Sequence, residues 1–283
     1  MRILVTGAGG MLAQDVVRAA QYVNHEVIAL DHTDLDVTDA RAVHGRIGAE
    51  RPHAVINCAA YTDVDGAEGD PDGAEALNAR GAKHVAAAAA EAGCRVVYPS
   101  TDYVFDGAKR EPYVESDEAH PHSVYGTTKL AGERETAAAT PEHFIVRSSW
   151  LFGSGGPNFV DTMLTLGRDL GEVLVVRDQV GAPTYTGHLA DGIVRLVEPD
   201  QYVAFGVHHL AGYGECSRFE FAREIFRQAG IECRVMSCTT GEFPRPAPRP
   251  PYSVLASERE DTIYLPEWQE GLASYLAERT VAA

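Results

Sequence analysis

The feature that most constrains this chain lies at its start. Residues 2–6 form a short apolar run that leads directly into Thr6-Gly7-Ala8-Gly9-Gly10-Met11-Leu12-Ala13. A glycine cluster between a buried strand and a helix lets the backbone turn sharply and come close to a ligand. At that junction a parallel sheet offers free N–H groups and the positive end of a helix to a pyrophosphate. A glycine cluster alone is a weak signal, and its position after an N-terminal strand gives it weight. Gly7, Gly9 and Gly10 are therefore candidate cofactor residues.

The rest of the first half repeats the alternation that such a turn requires. Strands are expected at 25–30, 54–57, 95–99 and 144–149. Helices are expected at 11–22, 40–47 and 74–92, with another starting near Ser123. Strands alternating with helices imply parallel βαβ units in a doubly wound α/β sheet of the Rossmann type. Apolar strands such as Ile3-Leu4-Val5 fit a sheet covered on both faces. The alternation weakens after about residue 150, although 158–170, 188–197 and 218–229 read as helices and 173–176 and 203–209 as strands. The expected division is a cofactor-binding domain over 1–150 and a smaller substrate-binding domain over 151–283. Segments such as 187–212 are expected to return to the main sheet. Residues 243–251 contain five prolines, which exclude helix and sheet ladders. This stretch is either a linker or a rigid wall over a site.

Bulk properties narrow the function. The formal net charge of -17 opposes nucleic acid and anionic membrane as partners. Five cysteines without a CxxC pair point to reduced thiols in the cytoplasm rather than a disulfide framework or a zinc site. The N-terminus does not read as a signal peptide, and no apolar run is long enough to span a membrane. The histidines show no metal-binding spacing, so no metal is expected. The pair His208-His209 reads as a core or surface feature.

Two further elements carry chemistry. Tyr125 and Lys129 are four residues apart and share a helix face. A free phenol has a pKa of about 10, and an adjacent ammonium is expected to lower it. Ser100-Thr101-Asp102 ends the fourth strand, where ligands bind in such sheets. Thr101 is suited to hydrogen-bond a carbonyl or alkoxide, and turn capping is an equally good reading of it on its own. At the end of the second strand, Asp31 can bind the ribose hydroxyls of NAD and repel a 2′-phosphate, which favours NADH over NADPH. Asp34 and Asp36 are close by, and the sequence leaves open which of the three acids faces inward.

Together these motifs resemble the extended short-chain dehydrogenase/reductase superfamily. The resemblance narrows to the dTDP-4-dehydrorhamnose reductase family along Asn57-Cys58-Ala59-Ala60-Tyr61-Thr62-Asp63-Val64-Asp65 and Ser100-Thr101-Asp102-Tyr103-Val104-Phe105-Asp106-Gly107. It continues along Val124-Tyr125-Gly126-Thr127-Thr128-Lys129-Leu130-Ala131-Gly132-Glu133, Val146-Arg147-Ser148-Ser149-Trp150, Asp178-Gln179-Val180-Gly181-Ala182-Pro183-Thr184 and the proline-rich run. It departs from the family pattern at Ala13, where a third glycine is usual.

The resemblance implies that Gly10, Met11 and Leu12 line the cofactor pyrophosphate, that Asp31, Asp36 and Val37 border its adenosine, and that Ala59, Ala60, Tyr61 and Thr62 line its middle. It makes Thr101, Tyr125 and Lys129 the catalytic group, with Tyr125 and Lys129 also touching NADH or NADPH. Asp102, Tyr103 and Trp150 would then contact a dTDP-sugar. The implied reaction is NAD(P)H-dependent reduction of the C4 ketone of a dTDP-4-keto-6-deoxyhexose, with dTDP-4-dehydrorhamnose to dTDP-rhamnose as the first case. A 4-ketoreductase for another deoxysugar, a sugar-nucleotide epimerase or dehydratase, and a non-catalytic regulatory subunit of the same fold are the competing readings. Arg147, Arg245 and Arg249 are candidates for the substrate diphosphate. Both a monomer and a homodimer fit the resemblance.

Overall fold

The computed structural model describes residues 1–199 and 201–282. Its centre is a six-stranded parallel sheet. The elements that build its first half are β1 (Arg2–Thr6), α1 (Met11–Tyr22), β2 (Glu26–Leu30), α2 (Ala40–Glu50), β3 (Ala54–Asn57), α3 (Val64–Gly69), α4 (Pro71–Glu75), α5 (Ala82–Glu91), β4 (Arg95–Thr101), α6 (Val124–Ala139) and β5 (His143–Ser148). Beyond these come β6 (Leu151–Phe152), α7 (Phe159–Leu170), β7 (Glu172–Val176), β8 (Val180–Gly181), β9 (Thr184–Tyr185), α8 (Thr186–Val197), β10 (Gly206–His209), β11 (Cys216–Ser217), α9 (Arg218–Ala229), β12 (Arg234–Cys238) and α10 (Trp268–Ala282).

The strand order is β2-β1-β3-β4-β5-β10, all parallel. The order reverses beside β1, so a crevice opens between the carboxyl ends of β1 and β3, the usual ligand position in such sheets. Ile3, Leu4 and Val5 of β1 are completely buried because helices cover both faces. Strand β10 pairs with β5, and Leu189, Ile193 and Val197 of α8 join the core on the face of α1. The chain thus returns to the first sheet after residue 185.

A second apolar cluster packs α7, α9 and α10 around the parallel pair β7–β12. Phe152, Leu164, Phe221, Phe226, Leu272 and Tyr275 lie at its centre. Helix α9 starts with a capping box in which Ser217 and Glu220 satisfy each other's backbone N–H groups. Gly230 ends that helix in the left-handed conformation.

One expectation changes, and one open alternative is decided. The helix expected over 74–92 is interrupted, because α4 passes into a π-helical turn at Ala76–Gly81 before α5 begins. The alanine-rich composition hides the break, since Asn78 and Gly81 are the weak helix formers of 76–81 and neither by itself ends a helix. The proline-rich stretch is a wall and not a linker. Pro250 and Pro251 pack against Gly107, whose φ of +79° and lack of a side chain allow the approach. Tyr252 then bridges to Val180, and Leu255 to Tyr113.

Gly7 shows how tightly the crevice is built. Its φ is +66°, and a Cβ there would lie 2.6 Å from the Ala59 nitrogen. Below it, the Thr6 hydroxyl donates to the Asn57 side chain at 2.7 Å, which locks β1 to β3. Gly7→Ala is therefore expected to cost at least ~1 kcal/mol through left-handed strain, with further loss from backbone displacement. Urea unfolding together with NADPH titration checks this. Wild-type values for both would contradict the packing described.

Candidate active site

The glycine turn lies over the open end of the crevice. Gly10 caps α1 through its backbone, its N–H donates to the Gly7 carbonyl at 2.9 Å, and Ala8 N–H donates to the Leu30 carbonyl at 3.0 Å. Gly9 and Gly10 are exposed and Met11 is half-buried. The Leu12 side chain packs in the core, so only its backbone faces the crevice. A glycine-lined cradle at a helix N-terminus suits a dinucleotide pyrophosphate.

At the adenosine end, Asp31 Oδ1 accepts from Thr33 N–H, the Thr33 hydroxyl (both 2.7 Å) and Asp34 N–H. Those hydrogen bonds hold the carboxyl below its ordinary pKa, so it is ionised at neutral pH. Asp36 turns to Thr38 in the same way. Val37 is a core residue, and its carbonyl accepts from His84 if the ring carries its proton on Nδ1. Only its backbone is open to a ligand.

The loop Ala59-Ala60-Tyr61-Thr62 leaves the end of β3 and is held by a residue that sequence reasoning missed. Asn78, fully buried in the π-helical turn, accepts from Tyr61 N–H at 2.8 Å through Oδ1. Its Nδ2 donates to the Tyr61 carbonyl (3.2 Å) and to Thr128 Oγ1 on α6 (3.0 Å). One amide thus joins the loop at 59–62 to the helix that carries Tyr125 and Lys129. The Asn78 carbonyl, which the Tyr98 hydroxyl reaches at 2.8 Å, leaves no space for a side chain at Gly132. A π-turn is a common device at functional sites, but no residue pattern in 76–81 announces it.

Helix α6 begins at Ser123, whose hydroxyl accepts from Gly126 N–H. Tyr125, Lys129 and Glu133 follow along one face. Lys129 Nζ donates to the Pro99 carbonyl at 2.7 Å and lies 4.1 Å from the centroid of the Tyr98 ring. Burial lowers the ammonium to about 8, against the opposing pull of Glu133 and the Cys58 thiol. The same burial pushes Cys58 up to about 12, which makes it a poor nucleophile.

The Tyr125 phenol also departs from expectation. Burial raises its pKa above the ordinary range; a hydrogen bond with Thr101 acts in the opposite sense, and Asp102 and Tyr103 reinforce the rise. The ammonium of Lys129 is turned to Pro99 and does not dominate, so the phenol keeps its proton.

Thr101 ends β4, and its hydroxyl donates to Asp102 Oδ1 at 3.0 Å. Asp102 is buried, and its Oδ2 accepts from the Ser253 hydroxyl at 2.6 Å. Burial raises this carboxyl to about 6 despite those two hydrogen bonds. Ser253 belongs to the chain just past the proline-rich wall, so that segment is tied directly to the carboxyl end of β4. Tyr103 meets Tyr125 edge-on, with ring centroids 5.6 Å apart.

Of the arginines expected near a diphosphate, Arg147 is excluded. It is buried and bound bidentately to Glu133, with Nε–Oε1 at 3.0 Å and a second nitrogen to Oε2 at 2.7 Å. The Ser100 hydroxyl completes that network. Arg249 pairs with Asp65, one contact at 2.9 Å, and Arg245 is an exposed side chain 3.9 Å from the same acid. Trp150 has its ring covered by Arg218, a residue sequence reasoning passed over, whose guanidinium carbon lies 3.5 Å from the ring centroid. His208 and His209 are core residues.

Comparison with known proteins places this geometry in a family. The profile of the family described as the RmlD substrate binding domain matches residues 1–281. The chain is 40% identical to the spore coat polysaccharide biosynthesis protein SpsK of Bacillus subtilis, covering 99% of each chain. It is 42% identical to dTDP-4-dehydrorhamnose reductase of Mycolicibacterium smegmatis, covering 98% of this chain and 85% of the relative. Among solved structures, a dTDP-4-dehydrorhamnose reductase from Clostridium acetobutylicum matches with a TM-score of 0.95 at 45% identity, over 99% and 100% of the two chains. That of Bacillus anthracis, in complex with NADP, matches with a TM-score of 0.94 at 38% identity, over 98% and 99%. This chain belongs to the dTDP-4-dehydrorhamnose reductase family.

Proposed function

We propose that this protein reduces the C4 ketone of a dTDP-4-keto-6-deoxyhexose with NAD(P)H, converting dTDP-4-dehydrorhamnose to dTDP-rhamnose. The observation that carries the reading is the convergence of Thr101, Tyr125 and Lys129 near the carboxyl end of β4, beside the crevice that the glycine turn lines. Residues 1–150 with the returning 186–210 segment hold the cofactor, and the remainder holds the sugar nucleotide. The free thiols fit a reducing cytoplasm. Among the described residues no helix is long and apolar enough to cross a membrane.

When bound, the nicotinamide supplies hydride to the carbonyl carbon. Tyr125 keeps its phenol protonated until the carbonyl oxygen gains charge, then donates that proton to it. Lys129 provides the positive charge that stabilises the phenolate left behind. Thr101, fixed by Asp102, positions the phenol through their hydrogen bond. General acid catalysis of this kind is worth roughly 10²–10⁴-fold, and alignment of the reactants adds more.

Three measurements test this. Tyr125→Phe should lower kcat for dTDP-4-dehydrorhamnose by roughly 10²-fold or more while NADPH affinity stays near wild type. Retained turnover would refute the role, and absence of any turnover by the wild-type protein with 4-keto sugar nucleotides would refute the function. For pH, Lys129 is a cation below about 8 and neutral above it. Phenolate stabilisation is therefore present at lower pH and lost as pH rises, so kcat should fall on the alkaline side. A flat profile between pH 7 and 9.5 would contradict the assignment. Finally, the ionised Asp31 should favour NADH. Asp31→Asn should raise kcat/KM for NADPH relative to NADH by about 10-fold, the size of one charge contact. An unchanged ratio would place Asp31 outside the ribose site.

A further inference from the structure

Among the charged side chains around the site, Arg218 is the one whose guanidinium lacks a counter-charge contact. Arg147 is committed to Glu133 and Arg249 to Asp65. Arg218 makes a backbone hydrogen bond from its N–H to the Gln179 carbonyl at 3.2 Å. Its guanidinium has no hydrogen-bond or ion-pair partner among the described residues. Its carbon lies 3.5 Å from the Trp150 centroid, within stacking distance of the indole, and 5.1 Å from that of Phe159. Guanidinium donors radiate in the plane of the group, so stacking by a face leaves the edges free for an acceptor.

The surroundings hold that geometry in place. Arg218 is the first residue of α9, fixed by the Ser217–Glu220 capping box. Trp150 has φ +48°, a conformation a bulky residue adopts only when its surroundings impose it. Its carbonyl accepts from Thr184 N–H, and the Ser149 hydroxyl donates to the Ala182 carbonyl. A Cβ on Gly181 would lie 2.5 Å from the indole, so glycine there admits the ring. The indole is thus seated between Gly181 and Arg218. Asp102 and Tyr103 lie close enough to favour the Arg218 cation, while burial and Arg249 oppose it. This places the guanidinium beside the catalytic strand end. A partly desolvated cation with free donors, in a chain of net charge -17, is built for an anion with two or more acceptor oxygens.

We infer that Arg218, held on the Trp150 indole, is the residue that binds the diphosphate of the sugar nucleotide, and that Trp150 acts as its platform and not as a stacking surface for a base. The inference rests on the sugar-nucleotide reading above.

Calorimetric titration of the NADPH-saturated protein with dTDP and, separately, with thymidine tests it. Wild type should bind dTDP more tightly than thymidine. Arg218→Met should weaken dTDP by roughly 10- to 100-fold, the size of one charge-assisted contact, and leave thymidine within about 2-fold. Arg218→Lys should fall between, since it keeps the charge and loses the fork. NADPH affinity reports folding in each variant, and if the methionine variant fails that check the lysine variant decides. Unchanged dTDP affinity would overturn the inference. Equal losses for dTDP and thymidine would also overturn it, because Arg218 would then act only by supporting Trp150. A wild-type protein that binds NADPH but neither dTDP nor thymidine would instead overturn the sugar-nucleotide reading itself.

Discussion

The contact between the Gly7 backbone and the Cys58-Ala59 backbone sets the rest of the molecule. It occurs where the sheet reverses its strand order, and it brings the turn after β1 against the turn after β3 with no space for a side chain. That proximity directs the N-terminus of α1 over the crevice. It also fixes the loop at 59–62, which Asn78 then ties to α6. The glycine cradle and the helix that carries Tyr125 and Lys129 are in this way positioned by one backbone packing event and one buried amide. An unpaired amide in such a place would cost a few kcal/mol, so the hydrogen bonds of Asn78 hold the loop in a single arrangement.

The second organising element is a line of buried charge. Tyr125, Lys129 and Glu133 recur at every fourth residue of α6, and Arg147 closes the line from β5. Burial works on Tyr125 and Lys129 in the direction that disfavours ionisation. It keeps the Tyr125 proton in place and lowers the Lys129 ammonium to about 8, against the opposing pull of Glu133. A free phenolate and a strongly solvated lysine would be worse tools for a reduction, which needs an acid first and a stabilised base afterwards.

The sequence made the sheet and the catalytic pair legible because both depend on short-range patterns. Apolar runs of strand length, the glycine turn and the four-residue spacing of Tyr125 and Lys129 each express a local geometric rule. The π-helical turn at 76–81 escaped because its cause is long-range: Asn78 must reach Tyr61 and Thr128, and nothing within the segment encodes that. Short strands β6, β8, β9 and β11 have two residues each, too few for any periodicity to appear. Arg147 and Arg218 could not be told apart either. Each precedes or follows an apolar stretch, and only the tertiary partner decides what each one does.

The contrast between those two arginines shows how one residue type takes opposite roles. Arg147 lies inside β5, and its charge is cancelled by Glu133 of α6, so it serves cohesion. Removing either partner would leave a buried, uncompensated ion, which is why such pairs hold geometry more than they add net stability. Arg218 lies at the start of a helix, against aromatic rings that accept its face but offer nothing to its edges. The aromatic faces meet part of the cost of desolvating the guanidinium and leave its directional donors unsatisfied. The proline-rich wall completes this asymmetry. Through Arg249 it binds Asp65, and just past it Ser253 binds Asp102, the one carboxylate whose charge acts on Arg218. Asp102 is thereby already engaged, and the donors of Arg218 remain available to the site.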